Sequence, residues 1–389
     1  GINPTVGAIE ENQRQIAERM CAAREDGADL VVFPELAICG YPPRDLLLED
    51  GFVEACEQAV AELGAGSEGV AIAIGLPARD PSAPDARRWT NAIAVYRDGV
   101  PLGRYDKRLL PTYDVFDEDR YFVPGEGPTV LEIAGTRVGF AVCEDLWRGE
   151  DVGFASRYRS GPDPVGELKA AGAEVVVSPS SSPFVTGKID THERILAAHA
   201  AWHGMWVASI NQLGGNDDLV FDGRGLLVDP EGRTVRRSRP FTETRLTVEV
   251  PGAEARPGAP ELAPLDEPLD ELIDALVLGT RDYLSKTGFS RALIGLSGGI
   301  DSAVTAALAA AALGPEQVIG VSLPGRYSTE HSRSDARDLA ERLETPYLSV
   351  PIAEPFDGFG RALDPALESL SEPPLGSRLP DVAEENLLS

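Results

Sequence analysis

The sequence predicts two α/β units joined by a proline-rich linker, and three observations carry that expectation. Short apolar runs alternate with helix-patterned stretches through the first 250 residues. Five prolines crowd residues 251–268 (PGAEARPGAPELAPLDEP). A strand, a glycine-rich turn, a helix and a second strand then follow in order. Alternation broken by hairpins suits a layered α/β unit with a mixed sheet, whereas strand–turn–helix–strand opens a parallel, doubly wound one. A length of 389 residues also exceeds what one ordinary core organises.

The elements come in the following order. Ile9 to Gly27 spaces its apolar residues as a helix and stops at glycine, and Ala28–Pro34 is a continuous apolar run of strand length. A helix is expected near Glu54–Leu63, then strands at Val70–Leu76 and Asn91–Arg97. The Asp98-Gly99 pair predicts a hairpin into Val100–Tyr105. Further strands are expected at Arg137–Val142, Glu174–Ser178 and Met205–Ile210, with a helix at Asp190–His203. Residues 251–268 carry too much proline, glycine and alanine to build a core and are read as a linker. The second unit, 269–389, begins with a helix at Leu269–Lys286 and a strand at Arg291–Leu296. An alanine-rich helix, Asp301–Leu313, and a strand, Gln317–Leu323, complete a βαβ unit.

Composition narrows the functional classes. A net charge of −28 argues against a nucleic-acid partner, which needs a basic surface. No run approaches the roughly 18 apolar residues of a membrane span, and no charged segment leads into an apolar signal core. Four cysteines (Cys21, Cys39, Cys56 and Cys143) show neither paired spacing nor a CxxC, so disulfides and structural zinc are not expected and a cytoplasmic setting fits. Only 4 of the 35 basic residues are lysine. Acidic, lysine-poor surfaces suit a salty cytoplasm, in which counterions screen self-repulsion; a GC-rich coding sequence produces the same arginine bias.

Ser297-Gly298-Gly299-Ile300-Asp301-Ser302 lies between a strand and a helix. Glycines there let backbone N–H groups approach an anion, and the helix N-terminus adds a positive dipole end. A Walker loop would place a lysine at this turn; here there are hydroxyls to donate to phosphate and Asp301 to hold a magnesium ion. A simple aspartate cap on a glycine turn would produce the same letters. Upstream, three reactive side chains each follow a strand: Glu35 in Phe33-Pro34-Glu35-Leu36, Lys107 in Asp106-Lys107-Arg108, and Cys143 in Cys143-Glu144-Asp145-Leu146-Trp147. Thiol attack on an amide needs a base, a cation or donor for the oxyanion, and an acid for departing ammonia. Glu35 suits the first and third roles and Lys107 the second. Glu144 and Asp145 are expected to raise the thiol pKa by like-charge repulsion, which makes a nearby cation useful.

These motifs resemble two superfamilies. SGGIDS is similar to the pyrophosphate loop of the ATP pyrophosphatases, and Glu35, Lys107 and Cys143 resemble, in order, the triad of the carbon–nitrogen hydrolase (nitrilase) superfamily. The pairing resembles the glutamine-dependent NAD synthetases. So do Ile2–Gly7, Gly40–Leu47, Leu110–Phe122 and Ser322–Ala336, with Gly325 and Thr329 replacing customary serines. Glu384-Glu385-Asn386-Leu387 is similar to a further family segment. Members of the family begin with a strand ahead of Asn-Pro-Thr-Val-Gly and continue well past that last segment. The glutaminases of GMP and asparagine synthetases would show a Gly-x-Cys-x-Gly elbow or an N-terminal cysteine, and neither is found.

The resemblance implies an αββα nitrilase-type amidase over 1–250 and the start of a Rossmann-like synthetase domain over 269–389. It implies a glutamine pocket of Tyr113, Glu144, Trp147 and Ser182, where Ser181-Ser182-Pro183-Phe184 departs from the usual Asn-Ala-Ser-Pro-Tyr. ATP would meet Ser297, Gly298, Gly299, Asp301, Ser302 and Leu323, with Mg2+ on Asp301. The implied substrates are glutamine and nicotinic acid adenine dinucleotide, handled by a homo-oligomer with a channel for ammonia. Two rivals remain: a stand-alone amidase with a vestigial nucleotide-binding half, and a non-catalytic ATP-sensing module.

Overall fold

The structure, a computed structural model, describes residues 1–83, 88–148, 161–250 and 260–370. The chain packs as two compact units, Gly1–Gly279 and a second beginning at Thr280.

The first unit opens with α1 (Ile9–Glu25), β1 (Leu30–Val32), α2 (Phe52–Ala65), β2 (Ala71–Arg79), β3 (Trp89–Arg97) and β4 (Val100–Asp106). The four strands lie in sequence order, β1 parallel to β2 and the rest antiparallel. Asp98 and Gly99 both take positive φ, 52° and 79°, the conformation that closes a two-residue hairpin on twisted strands. Then come β5 (Val130–Ile133), β6 (Thr136–Phe140), α3 (Pro164–Ala170), β7 (Val175–Ser180), α4 (Lys188–His203) and β8 (Trp206–Asn211). A hairpin of β9 (Leu213–Asn216) and β10 (Leu219–Asp222) precedes β11 (Gly225–Val228), β12 (Thr234–Arg237) and β13 (Glu261–Leu262). The second sheet has the order β13-β12-β11-β8-β7-β6-β5.

Period-two alternation stacks these layers. Ala71 and Ala73 of β2 join Val175 and Val177 of β7 in a core between the sheets. On the opposite faces, Ile72 and Ile74 pack with Ile16 and Val60 of α1 and α2, and Val176 packs with Leu168 and Ile195 of α3 and α4. Strands buried on both faces read as unbroken apolar runs, which is why the sequence marks them so clearly. The result is the αββα sandwich that the resemblance implies. Two expected strands end early: Ala28–Pro34 pairs only over Leu30–Val32, and Arg137–Val142 stops at Phe140. In both cases the chain leaves the ladder to carry a side chain toward the other sheet's loops.

α5 (Pro268–Lys286) spans the division between the units. In the second unit, β14 (Ala292–Gly295), α6 (Ile300–Leu313), β15 (Val318–Ser322), α7 (Glu330–Arg342), β16 (Tyr347–Ser349) and α8 (Ala353–Leu370) follow. The strands form a parallel sheet, β14-β15-β16, whose small core unites Leu296, Ala306, Ala336 and Ala340. Residues 251–259 of the expected linker and the Glu384–Leu387 segment lie outside the described residues. Among the described residues, no helix is long and apolar enough to cross a membrane.

Candidate active site

Glu35 is wholly buried just past β1. Its Oε1 accepts from Lys107 Nζ at 2.7 Å and from Asn91 Nδ2 at 2.7 Å, and its Oε2 accepts the Ser181 N–H at 2.9 Å. The second sheet thus reaches across: the Ser181 hydroxyl also donates to the Glu35 carbonyl at 3.0 Å.

Lys107, the first residue after β4, has no exposed surface. Its ammonium bridges Glu35 and Glu118, donating to Glu118 Oε1 at 2.8 Å. Burial alone would lower its pKa, yet Glu118, Glu35 and the Cys143 thiol outweigh that and hold it well above the ordinary lysine value. Glu118 also accepts from the Tyr41 hydroxyl at 2.9 Å. Burial pushes this carboxyl up to about 7, with Lys107 opposing and Glu35 adding to the rise.

Cys143 begins a short 3-10 turn (Cys143–Leu146) beyond β6 and adopts φ 47°, a left-handed conformation that non-glycine residues rarely take. Asp145 holds it there. Its buried carboxylate accepts the Val142 N–H at 2.8 Å, the Leu109 N–H at 2.9 Å, the Arg108 N–H at 3.2 Å and the Tyr105 hydroxyl at 2.8 Å. One side chain thereby ties the thiol-bearing turn to the loop that carries Lys107. Burial raises the pKa of this carboxyl, and the backbone N–H groups and the Tyr105 hydroxyl oppose that rise. Burial raises the Cys143 thiol well above its ordinary value; Glu35, and after it Glu144, add to the rise, while Lys107 opposes it. The thiol therefore sits within electrostatic reach of both Glu35 and Lys107.

The residues expected around glutamine also converge. The Tyr113 hydroxyl donates to Glu144 at 3.0 Å. Ser182 Oγ accepts from Lys188 Nζ at 2.7 Å, and the same ammonium lies 5.5 Å above the Trp147 ring, on which His192 stacks. Among the described residues, no carboxylate lies within 4.0 Å of the Lys188 ammonium; the Pro183 carbonyl, at 3.1 Å, is its other acceptor. Burial lowers its pKa, while Cys143 and Asp222 act to raise it. A partly buried cation lacking a close anion is suited to receive one.

Glu118 and Lys188 were missed by sequence reasoning. Nothing local separates Glu118 from the exposed Asp117 and Asp119 beside it. Lys188 did carry a signal: in a chain with 31 arginines to 4 lysines, each lysine stands out, and Lys107, Lys188 and Lys286 are all wholly or partly buried.

In the second unit, Gly298 takes φ 83°, and a Cβ there would lie 2.4 Å from the Ser332 carbonyl oxygen, so only glycine fits. The cap of α6 is Gly299, which displaces the simple aspartate-cap reading, since Asp301 lies in the first helical turn with its side chain exposed. Ser297 Oγ accepts the Gly299 N–H at 3.2 Å, and Ser302 Oγ donates to the Gly299 carbonyl at 3.0 Å. Leu323 is half-exposed just beyond β15. One exposed carboxylate beside hydroxyls and a helix N-terminus fits magnesium arriving with phosphates, which characteristically uses few protein ligands.

Residues 1–160 and 161–259 match the family model for carbon–nitrogen hydrolases, and residues 272–384 match that for NAD synthase. The chain is 38% identical over 392 residues to the glutamine-dependent NAD(+) synthetase of Synechocystis sp., covering 100% of this chain and 68% of that protein. It is 34% identical to its namesake in Aquifex aeolicus, covering 99% and 69%. The chain thus spans about two thirds of the length of these curated relatives. Among solved structures, the glutamine-dependent NAD+ synthetase of Acinetobacter baumannii in complex with ADP superposes with a TM-score of 0.88 at 31% identity, over 100% of this chain and 69% of its own. An amidase of the nitrilase superfamily from Nesterenkonia AN1 shares the fold of the first unit, with a TM-score of 0.51 at 24% identity, over 61% of this chain and 85% of its own.

Proposed function

The chain belongs to the family of glutamine-dependent NAD(+) synthetases, and on that premise we propose that Cys143 releases the ammonia which the second unit's chemistry consumes. Glu35 takes the thiol proton as Sγ attacks the side-chain amide carbon of glutamine. Lys107 stabilises the oxyanion, and the C–N bond breaks as Glu35 returns the proton to departing ammonia. Water, deprotonated by Glu35, then opens the thioester to release glutamate. Lys188 receives the α-carboxylate, and Tyr113, Glu144, Trp147 and Ser182 frame the rest of the substrate.

In the second unit, Ser297, Gly298, Gly299, Asp301 and Ser302 grip the pyrophosphate of ATP, and Leu323 borders the nucleotide. The carboxylate of nicotinic acid adenine dinucleotide attacks the α-phosphorus of ATP, pyrophosphate departs, and ammonia then displaces AMP from the adenylate to form NAD. Asp301 would hold a magnesium ion, which would neutralise the phosphate charge. Free thiols at all four cysteines support a reducing, cytoplasmic setting, and a homo-oligomer carries the coupled reaction.

The observation that carries this reading is the buried ammonium of Lys107 between two carboxylates, with Lys107 and Glu35 both acting electrostatically on the Cys143 thiol. The test separates the halves in the natively expressed protein. Asp301→Ala should keep glutamine hydrolysis while losing ATP-dependent NAD formation; Cys143→Ala should lose glutamine use while still making NAD from ammonium. Loss of both activities in a folded Cys143→Ala protein would refute the division. Intact NAD formation in Asp301→Ala would remove the proposed ATP site. Glutamine hydrolysis that survives Asp301→Ala and ignores ATP, with no NAD formed by the unaltered protein, would favour the stand-alone amidase.

A further inference from the structure

Behind Ser182 lies a string of buried and partly buried polar groups, all within the first unit. Asn211 grips Ser182 from both sides of its backbone: the Ser182 N–H donates to Asn211 Oδ1 at 2.8 Å, and Asn211 Nδ2 donates to the Ser182 carbonyl at 2.9 Å. The same Nδ2 donates to Asp222 Oδ1 at 2.7 Å, and that oxygen also accepts the Arg224 N–H at 3.1 Å. The Arg224 guanidinium lies 4.0 Å from the other oxygen of Asp222 and pairs with Glu271, in the first turn of α5. Arg224 and Glu271 are each only 4% exposed, and Arg224 Nε has no partner among the described residues. Asp222, Arg224 and Glu271 line one pocket together with Ser182, Lys188 and His192.

A buried ion pair contributes little to stability that apolar side chains of similar volume would not. This pair does something that apolar residues would not do: it fixes direction. A flipped Asn211 amide would set NH2 against the Ser182 N–H and its oxygen against Asp222 and the Ser182 carbonyl, so Asp222 dictates which way Asn211 faces. Asn211 in turn sets the Ser182 backbone, and Ser182 Oγ is the closest acceptor of the Lys188 ammonium. We propose that Glu271, Arg224, Asp222 and Asn211 are positioning residues for the carboxylate subsite, so that preference for amino-acid amides over simple amides depends on a side chain in α5. This inference rests on Lys188 receiving the substrate carboxylate.

The test compares glutamine with a neutral amide lacking the carboxylate, propionamide, by steady-state hydrolysis in the full protein. Lys188→Met checks the premise: KM for glutamine should rise at least tenfold, with propionamide kinetics little changed. For the relay, Glu271→Ala should raise the glutamine KM about tenfold while leaving kcat and propionamide turnover near wild type. Should Glu271→Ala fail to fold, the paired replacement Arg224→Met with Glu271→Leu fills the space without charge and should show the same selective KM effect. Wild-type glutamine KM in a folded relay variant, or equal losses for both amides, would overturn the relay if Lys188→Met behaves as expected. An unchanged glutamine KM in Lys188→Met would instead overturn the carboxylate subsite itself, and the relay with it.

Discussion

Lys107 and Glu35, 72 positions apart in the chain, meet at 2.7 Å with no solvent exposure on either side chain. β4 delivers the lysine and the loop after β1 delivers the glutamate, so the contact exists only once the first sheet has formed. Replacing this ammonium leaves two carboxylates, Glu35 and Glu118, buried without a cation. Lys107→Met should cost about 3–5 kcal/mol of stability, measured by urea denaturation. It should also lower glutamine hydrolysis by about 10²- to 10³-fold, measured as glutamate release. Near-wild-type turnover would remove Lys107 from the chemistry.

Glu118 ionises near pH 7 in the folded chain, against an ordinary value of 4.5. Between those values the folded protein keeps a proton that the unfolded chain has released, so this group's contribution to stability falls as pH rises from about 4.5 to about 7. Glu118→Gln should flatten that part of the pH–stability curve relative to wild type. Thermal unfolding followed across the window checks it; parallel curves for the two proteins would contradict the burial of an ionisable group here.

Much of this was legible in advance, and the reasons are local. β2 and β7 are buried on both faces and so stand out as apolar runs, and Asp98-Gly99 marks a turn that needs two positive φ values. Glu35 and Cys143 each follow an apolar run and Lys107 follows the hairpin strand, and the three in order resemble a known triad. Glu118 was not legible, because its burial depends on a loop folding onto Lys107 and Tyr41 across the sheet. The tying role of Asp145 was hidden for a related reason: it accepts three backbone N–H groups and a tyrosine hydroxyl brought from another strand, which residue type alone does not announce.

The glycine loop of the second unit allows a sharper substitution than a charge removal. Gly298→Ala adds one methyl, yet that carbon would lie 2.4 Å from the Ser332 carbonyl at a φ that alanine resists. ATP affinity, titrated calorimetrically with magnesium, should weaken at least about tenfold, equivalent to about 1.4 kcal/mol, and glutamine hydrolysis should be spared. Unaltered ATP affinity would place the nucleotide elsewhere.

The surface charge makes its own prediction. A net charge of −28 drives self-repulsion that dense counterions relieve. The melting temperature should climb steadily as KCl rises from about 0.1 M to about 1 M, where the Debye length shrinks from about 10 Å to about 3 Å. A melting temperature indifferent to KCl would end the salty-cytoplasm explanation and leave coding bias to account for the arginine excess.

The most direct measurement is mass spectrometry of protein quenched in acid during turnover with glutamine, followed by peptide mapping. A γ-glutamyl thioester on the peptide carrying Cys143, absent in Cys143→Ala, is the predicted result. Continued glutamine hydrolysis by Cys143→Ala, or an adduct on Cys21, Cys39 or Cys56 instead, would contradict the assignment of Cys143 as the nucleophile.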